Sequence, residues 1–181
     1  VSGVAAEWYS SDWDYRKEIT FNQSQINGTH QDFPALINIS DNDLKEKAQN
    51  EGDDILFTSS NGTYKLGHEI ESYNNSTGSL TAHVKVLNMT NQSETSIYMY
   101  YGNSEASNQE TVSEVWSKNY SGVWHFSKKS GDIDDSTSND LNGSEEGTIT
   151  RDTSGKIGNA YKTDKTGSGV VNLGNPHSLN F

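Results

Sequence analysis

Apolar residues in this chain recur at every second position, in short runs bounded by Gly, Asn, Asp or Ser. A period of two places side chains alternately on the two faces of a strand. Turn signals at regular spacing between such runs point to an all-β fold, an antiparallel β-sandwich of jelly-roll-like character. Tyr15–Phe21 alternates in this way, with Tyr15, Lys17, Ile19 and Phe21 on one face. Phe33–Ile39 is a second strand, with Pro34 near its start, where a missing donor is tolerated. Asp54–Thr58, Tyr64–Leu66 leading into His68–Tyr73, Leu80–Leu87 and Glu94–Tyr101 complete the set. Asn61-Gly62 is a hairpin turn, and Asn74–Gly78 is another turn. One short helix interrupts the strands at Asp43–Gln49. Ser40 or Asp41 caps it, acidic residues fill its first turn, Lys45 and Lys47 follow, and Gly52 stops it.

Composition narrows the function. Only 30% of the 181 residues are apolar, yet 10% are aromatic, so the core must draw heavily on Trp, Tyr and Phe at inward positions. The formal net charge of −12 opposes binding to nucleic-acid phosphates and to anionic headgroups. The chain has no Cys, which excludes disulfides, zinc–thiolate sites and thiol catalysis. No window approaches the ~20 apolar residues of a membrane helix, so no transmembrane segment is expected in this chain. Val1–Ala6 reads either as the tail of a secretory signal, ending in small residues, or as a frayed terminus.

The strongest chemical signal is the N-x-[ST] acceptor motif. It occurs ten times, at Asn22, Asn27, Asn38, Asn61, Asn74, Asn75, Asn88, Asn91, Asn119 and Asn142. With 19 Asn and 40 Ser plus Thr in the chain, chance gives about four. The excess points to an exported, glycan-coated protein carrying covalent N-glycans. Asn74 overlaps Asn75, and Asn38 falls in a strand expected to be buried. The expected glycosylation sites are therefore Asn22, Asn27, Asn61, Asn75, Asn88, Asn91, Asn119 and Asn142.

Residues 104–119 are polar and aperiodic and read as a linker between a first domain, 1–103, and a second, partial β-sandwich, 120–181. In the second, Val123–Phe126 is an expected strand, Asp132–Gly143 an acidic loop, and Ile149, Ala160–Lys162 and Val170–Leu173 further strands. Leu179–Phe181 stands where another strand would begin.

The first domain resembles domain of unknown function 2341. The residues that carry the resemblance are Trp13-x-Tyr15-Arg16-Lys17-x-Ile19, Gly52-Asp53-Asp54-Ile55-x-Phe57-Thr58 and Leu66-x-His68-Glu69-Ile70-Glu71-Ser72-Tyr73. Thr77-Gly78-x-Leu80, Val84-Lys85-Val86 and Ile97–Asn103 continue it. The resemblance implies a module of large archaeal and bacterial surface proteins and no known chemistry. The second domain is similar to the start of a laminin-G-like, concanavalin-A-like lectin domain, through Gly122–Phe126, Asp135–Gly143 and Gly155–Ala160. That likeness implies a jelly roll that binds glycans or proteins, sometimes through Ca²⁺.

Four constellations compete with ordinary structural roles. Asp132, Asp134, Asp135 and Asp140, with Ser136 and Asn139, supply oxygen ligands at a density that suits Ca²⁺, but they are also ordinary turn residues. Tyr98 and Tyr100 share one face of a strand and form either a sugar-stacking platform or a plain sandwich surface. Glu69 and Glu71 project from one strand face, as a glycosidase pair or as a solvated edge. Trp13 and Trp124 read as core, and Trp8 and Trp116 as interface residues. There is no Gly-x-Ser-x-Gly elbow, phosphate loop or dinucleotide fingerprint.

The expected function is thus non-catalytic: an extracellular or cell-surface structural or adhesive protein, such as a filament, sheath or surface-layer subunit. It requires no cofactor, Ca²⁺ being the one cation its residues suit. It pairs with neighbouring subunits or with surface glycans and proteins. A carbohydrate-binding module is the alternative, and a glycosidase using Glu69 or Glu71 a distant third.

Overall fold

A computed structural model describes residues 7–116, 119–163 and 168–174. The chain divides into two compact units, Val1–Val115 and Trp116–Phe181. The expected signal tail, Val1–Ala6, and the expected strand start at Leu179–Phe181 lie outside the described residues.

The first unit is an antiparallel sandwich. Its elements are β1 (Tyr15–Phe21), β2 (Thr29–Ser40), α1 (Asn42–Lys47), β3 (Leu56–Ser59), β4 (Lys65–Leu66), β5 (His68–Asn74), β6 (Ser79–Thr90), β7 (Thr95–Tyr101) and α2 (Val112–Val115). One sheet has the order β1-β7-β3-β4 and the other β2-β6-β5. Alternation decides which side chains meet between them. Ala35 and Ile37 on β2 lie opposite Val84 and Ala82 on β6. These pack in one buried cluster with Leu80, Phe57, Ile97 and Met99. The long β2 begins earlier than its apolar run because the polar Thr29–Gln31 pair with Asn88–Thr90 at the sheet's end.

β5 does not alternate cleanly. Its register against β6 shifts between Ile70 and Ser72, leaving Glu71 as an extra, bulged residue. Strict alternation would put Ser72 inside and Tyr73 outside. The bulge reverses this: Tyr73 lies opposite buried Leu80, and its hydroxyl donates to the Leu44 carbonyl at 2.7 Å. Tyr73 thereby anchors α1, whose one buried side chain is Leu44. Asp41 caps α1 by accepting from the Asp43 amide at 2.8 Å, and its carboxylate also pairs with Lys17.

Asp54 ties three segments together. It is fully buried. Its Oδ1 accepts from the Gln49 amide at 2.8 Å, and its Oδ2 from the Gly102 and Asn103 amides at 2.6 and 3.1 Å. Its own carbonyl accepts from the Trp13 indole at 2.7 Å. The segment after β7 then stays on the sandwich. Gln49 donates to the Ala106 carbonyl, the Ile70 amide to the Glu110 carboxylate at 2.6 Å, and the Thr111 amide to the His68 carbonyl at 3.1 Å. Val115 is fully buried. Residues 104–115 are therefore not the expected linker. They read as one because their hydrogen bonds carry no hydrophobic period.

The segment before β1 covers the outer face of the four-stranded sheet, where Trp13, Leu56 and Tyr100 form a second buried cluster. The Glu7 amide donates to the Asn61 carbonyl at 2.9 Å, and Arg16 donates to the Glu7 carbonyl at 2.8 Å. Gly62 makes this approach possible. Its φ is +81°, and a Cβ there would lie 1.8 Å from the Glu7 carbonyl oxygen. Gly62→Ala is expected to cost about 2–4 kcal/mol and to release residues 7–13. A urea titration followed by Trp fluorescence, with trypsin cleavage at Arg16, measures both effects.

The second unit is held differently. β8 (Ser144–Glu146) pairs with β11 (Val170–Asn172), and β9 (Ile149–Ser154) pairs with β10 (Asn159–Thr163), all antiparallel. Val123–Phe126 is not a strand. The Val123 amide donates to the Asp135 carboxylate, its carbonyl accepts from Ser136, and Phe126 has φ +54°. Ile133 is the one apolar side chain of this unit in the fully buried class among the described residues. A unit with so little apolar burial has little to offset its chain entropy. Limited proteolysis is expected to cut between residues 116 and 174 at least tenfold faster than within residues 15–101, as read by the mass of the surviving core.

Candidate functional site

The proposed Tyr98 and Tyr100 platform does not form. Tyr100 is fully buried beneath the segment before β1, and its hydroxyl accepts from the Tyr9 amide and from Arg16. Tyr98 is half-buried, with the Arg16 guanidinium 4.5 Å from its ring centroid. The same guanidinium lies 4.7 Å from the ring centroid of Trp8, which is 44% exposed. Alternation correctly put Tyr98 and Tyr100 on the outer face. It could not reveal that a preceding segment covers that face. Trp13 is core as expected. Trp124 is half-buried, donates to the Leu141 carbonyl and packs against Gly122.

On β5, Glu69 is buried opposite His83, and the bulged Glu71 pairs with the His83 imidazole at 3.1 Å. The two carboxylates share the outward side of the strand, but they are not the solvated edge that the alternation suggested.

In the acidic loop, the four aspartates take four different roles. Asp135 is buried and accepts from the Val123, Thr137 and Leu141 amides and from the Thr137 hydroxyl, at 2.8 to 3.0 Å. Burial alone would raise its pKa, but these donors outweigh burial and hold it below the usual carboxylate value. Asp134 pairs with Lys128, Asp140 accepts from the Asn142 amide at 2.8 Å, and Asp132 is exposed. Asp135 therefore serves as the loop's organiser, with both oxygens taken by protein donors. A depressed folded-state pKa gives stability that is present above the ordinary Asp range and lost as pH falls through the folded value. Asp135→Ala is expected to unfold the second unit while leaving the first intact, costing about 2–4 kcal/mol. Circular dichroism at 25 °C with separate proteolysis of the two units tests this.

The acceptor asparagines lie on the surface. Asn22, Asn27, Asn38, Asn61, Asn74, Asn88, Asn91, Asn119 and Asn142 are exposed, and Asn75 is half-buried. Asn38 was expected to be buried. It lies in β2, but opposite Thr81 on the side away from the shared core. In Asn22 and Asn61 the side-chain oxygens carry the turn hydrogen bonds. In Asn75 and Asn142 the amide nitrogens are engaged, by Asn50 and Asp140. The Asn88 side chain makes no hydrogen bond among the described residues.

A groove of about 320 Å³ opens at the end of the first unit where β6 turns into β7. Leu66, Val86 and Ile97, all nearly or fully buried, floor it, and Leu87 stands exposed beside them. Its rim is polar: Ser60, Asn88, Ser93, Glu94, Thr95 and Ser96. Nothing in the strand pattern signalled it, because its lining comes from β3, β4, β6 and β7 and the turns beside them, which meet only when the two sheets close.

A family model described as Domain of unknown function (DUF2341) matches residues 51–141, half of the chain. The chain belongs to this family. The DUF2341 match begins just before Asp54 and ends at Leu141, so it takes in β3 to β7 and runs on through the Asp135 loop. It leaves out Trp13 to Ile19, and it includes Gly122–Phe126 and Asp135–Leu141, which sequence reading had set in a separate domain. No curated protein and no solved structure matches the chain. Among the described residues, no helix is long and apolar enough to cross a membrane.

Proposed function

We propose that this DUF2341 chain is a non-catalytic, N-glycosylated part of an extracellular or cell-surface protein with a structural or adhesive role, such as a filament, sheath or surface-layer subunit. The observation that carries this reading is that nine of the ten acceptor asparagines are exposed and the tenth half-buried, in a chain with more than twice the acceptor motifs that chance supplies. The net charge of −12 fits a hydrated outer surface. The second unit is, in this reading, the opening portion of a laminin-G-like domain, and its partners are neighbouring subunits or surface glycans. The carbohydrate-binding alternative has lost its Tyr98 and Tyr100 platform, and Ca²⁺ in the acidic loop would have to compete with the protein donors already on Asp135.

The test is glycopeptide mass spectrometry on protein taken from its native source, paired with negative-stain electron microscopy with and without a Ca²⁺ chelator. Glycan on several acceptor asparagines, together with regular filaments or sheets, is the expected result. An unglycosylated protein in dispersed particles would overturn it.

A further inference from the structure

The geometry points to one acceptor site with a built receptor: the first saccharide of an Asn88-linked glycan lies in the groove at the β6–β7 end of the first unit. This rests on the glycoprotein reading above and goes beyond it, because it says which glycan is structural and where it goes.

Three observations converge on this groove. Asn88 lines it and stands in the motif Asn88-Met89-Thr90, with its side chain exposed and unbonded among the described residues. The lining has the two-part character a pyranose needs. Leu87, 41% exposed over the buried Leu66, Val86 and Ile97, offers apolar surface for the ring's C–H face, and the hydroxyls of Ser60, Ser93, Thr95 and Ser96 with the Glu94 carboxylate offer a polar rim for its hydroxyls. Two further acceptor motifs border the same groove. Asn61 follows the rim residue Ser60, and the rim residue Ser93 completes the motif of Asn91. An external ligand would have to enter past up to three glycans. A glycan attached at Asn88 is already there, at an effective concentration no free sugar can match. The groove's volume, about 320 Å³, is at the small end of ligand pockets, which suits one sugar ring rather than a chain of them.

Packing a saccharide over Leu87 and the β6–β7 turn would protect backbone amides there from exchange. The experiment uses the full chain secreted from a host that glycosylates N-x-[ST], with Asn88→Gln and Asn91→Gln as matched variants, each lacking one acceptor. Glycopeptide mass spectrometry establishes occupancy first. Hydrogen–deuterium exchange is then compared over residues 59–66 and 86–97. Asn88→Gln is expected to speed exchange in both segments by about fivefold or more, while Asn91→Gln leaves residues 59–66 unchanged. Nuclear Overhauser contacts from the first sugar to the Val86 and Leu87 methyls would place it directly. Occupied Asn88 with unchanged exchange in Asn88→Gln overturns the inference and leaves the glycoprotein reading standing. So does an unoccupied Asn88 beside other occupied sites. A protein with no site occupied in its native source overturns both.

Discussion

Replacing Asp54 with Ala is expected to unfold the first unit at 25 °C in moderate urea, at a cost of about 4 kcal/mol. The carboxylate is fully buried and accepts from three backbone amides in two separate segments, the turn after α1 and the exit from β7. Removing it leaves the Gln49, Gly102 and Asn103 amides without partners in a site too enclosed for easy hydration, and each orphaned donor is costly. Asp54→Asn is the informative companion. It keeps the shape but offers one acceptor oxygen in place of two, so it should cost roughly half as much. Urea titration followed by Trp13 fluorescence reads both, since the Trp13 indole donates to the Asp54 carbonyl. If Asp54→Ala lost less than about 1 kcal/mol, the hub would be redundant and the amides would find other partners.

The second large effect is acid sensitivity centred on His68. Its ring is fully buried, edge-on to Phe57 at 5.2 Å, and neither nitrogen has a hydrogen-bond partner. Burial is the main reason its pKa falls from 6.5 to about 4, and the Lys65 charge lowers it further. The Leu66 and Ile55 carbonyls favour the charged ring but do not reach bonding geometry. Because the folded value lies below the unfolded one, the unfolded chain binds the proton more readily between the two. Stability is complete above pH 6.5 and declines as pH falls toward 4. The shift corresponds to about 3 kcal/mol lost across that window. His68→Leu should remove this component. Other carboxylates titrate nearby in pH, so the measurement is the difference in the pH dependence of unfolding free energy between His68→Leu and the parent. Equal slopes between pH 4 and 6.5 would show that His68 finds a partner on protonation.

Most strands of the first unit could be read closely because they obey one rule. Inward residues such as Ile97, Met99 and Tyr101 alternate with outward ones, and Asn61-Gly62 and Asn74–Gly78 mark the turns. What could not be read depends on partners distant in sequence. Asp54 looks like any turn aspartate, since two of its three amide donors are found 48 and 49 residues further on. The bulge at Glu71 has no local signature, yet it moves Tyr73 from the outside to the inside. Residues 104–115 carry too little apolar pattern to be seen as part of the sandwich, although His68, Ile70 and Gln49 all bond to them. The acceptor motifs were fully visible, but the groove beside Asn88 was not, because Leu66, Val86 and Ile97 come from three strands.

The pairing of β1 with β7 has a mechanical side. Tyr15 lies directly opposite Tyr101, so the chain enters and leaves the main body of the first unit at neighbouring points on one edge. Tension applied through the flanking chain would therefore not slide β1 along β7, loading all their hydrogen bonds at once. It would peel them apart from the Tyr15–Tyr101 end, one after another. The two segments that fold back over the sandwich, residues 7–13 and 103–115, stand directly in the path of that peeling. Arg16 holding the Glu7 carbonyl, and His68 holding the Thr111 amide, act as the fasteners that must give way first.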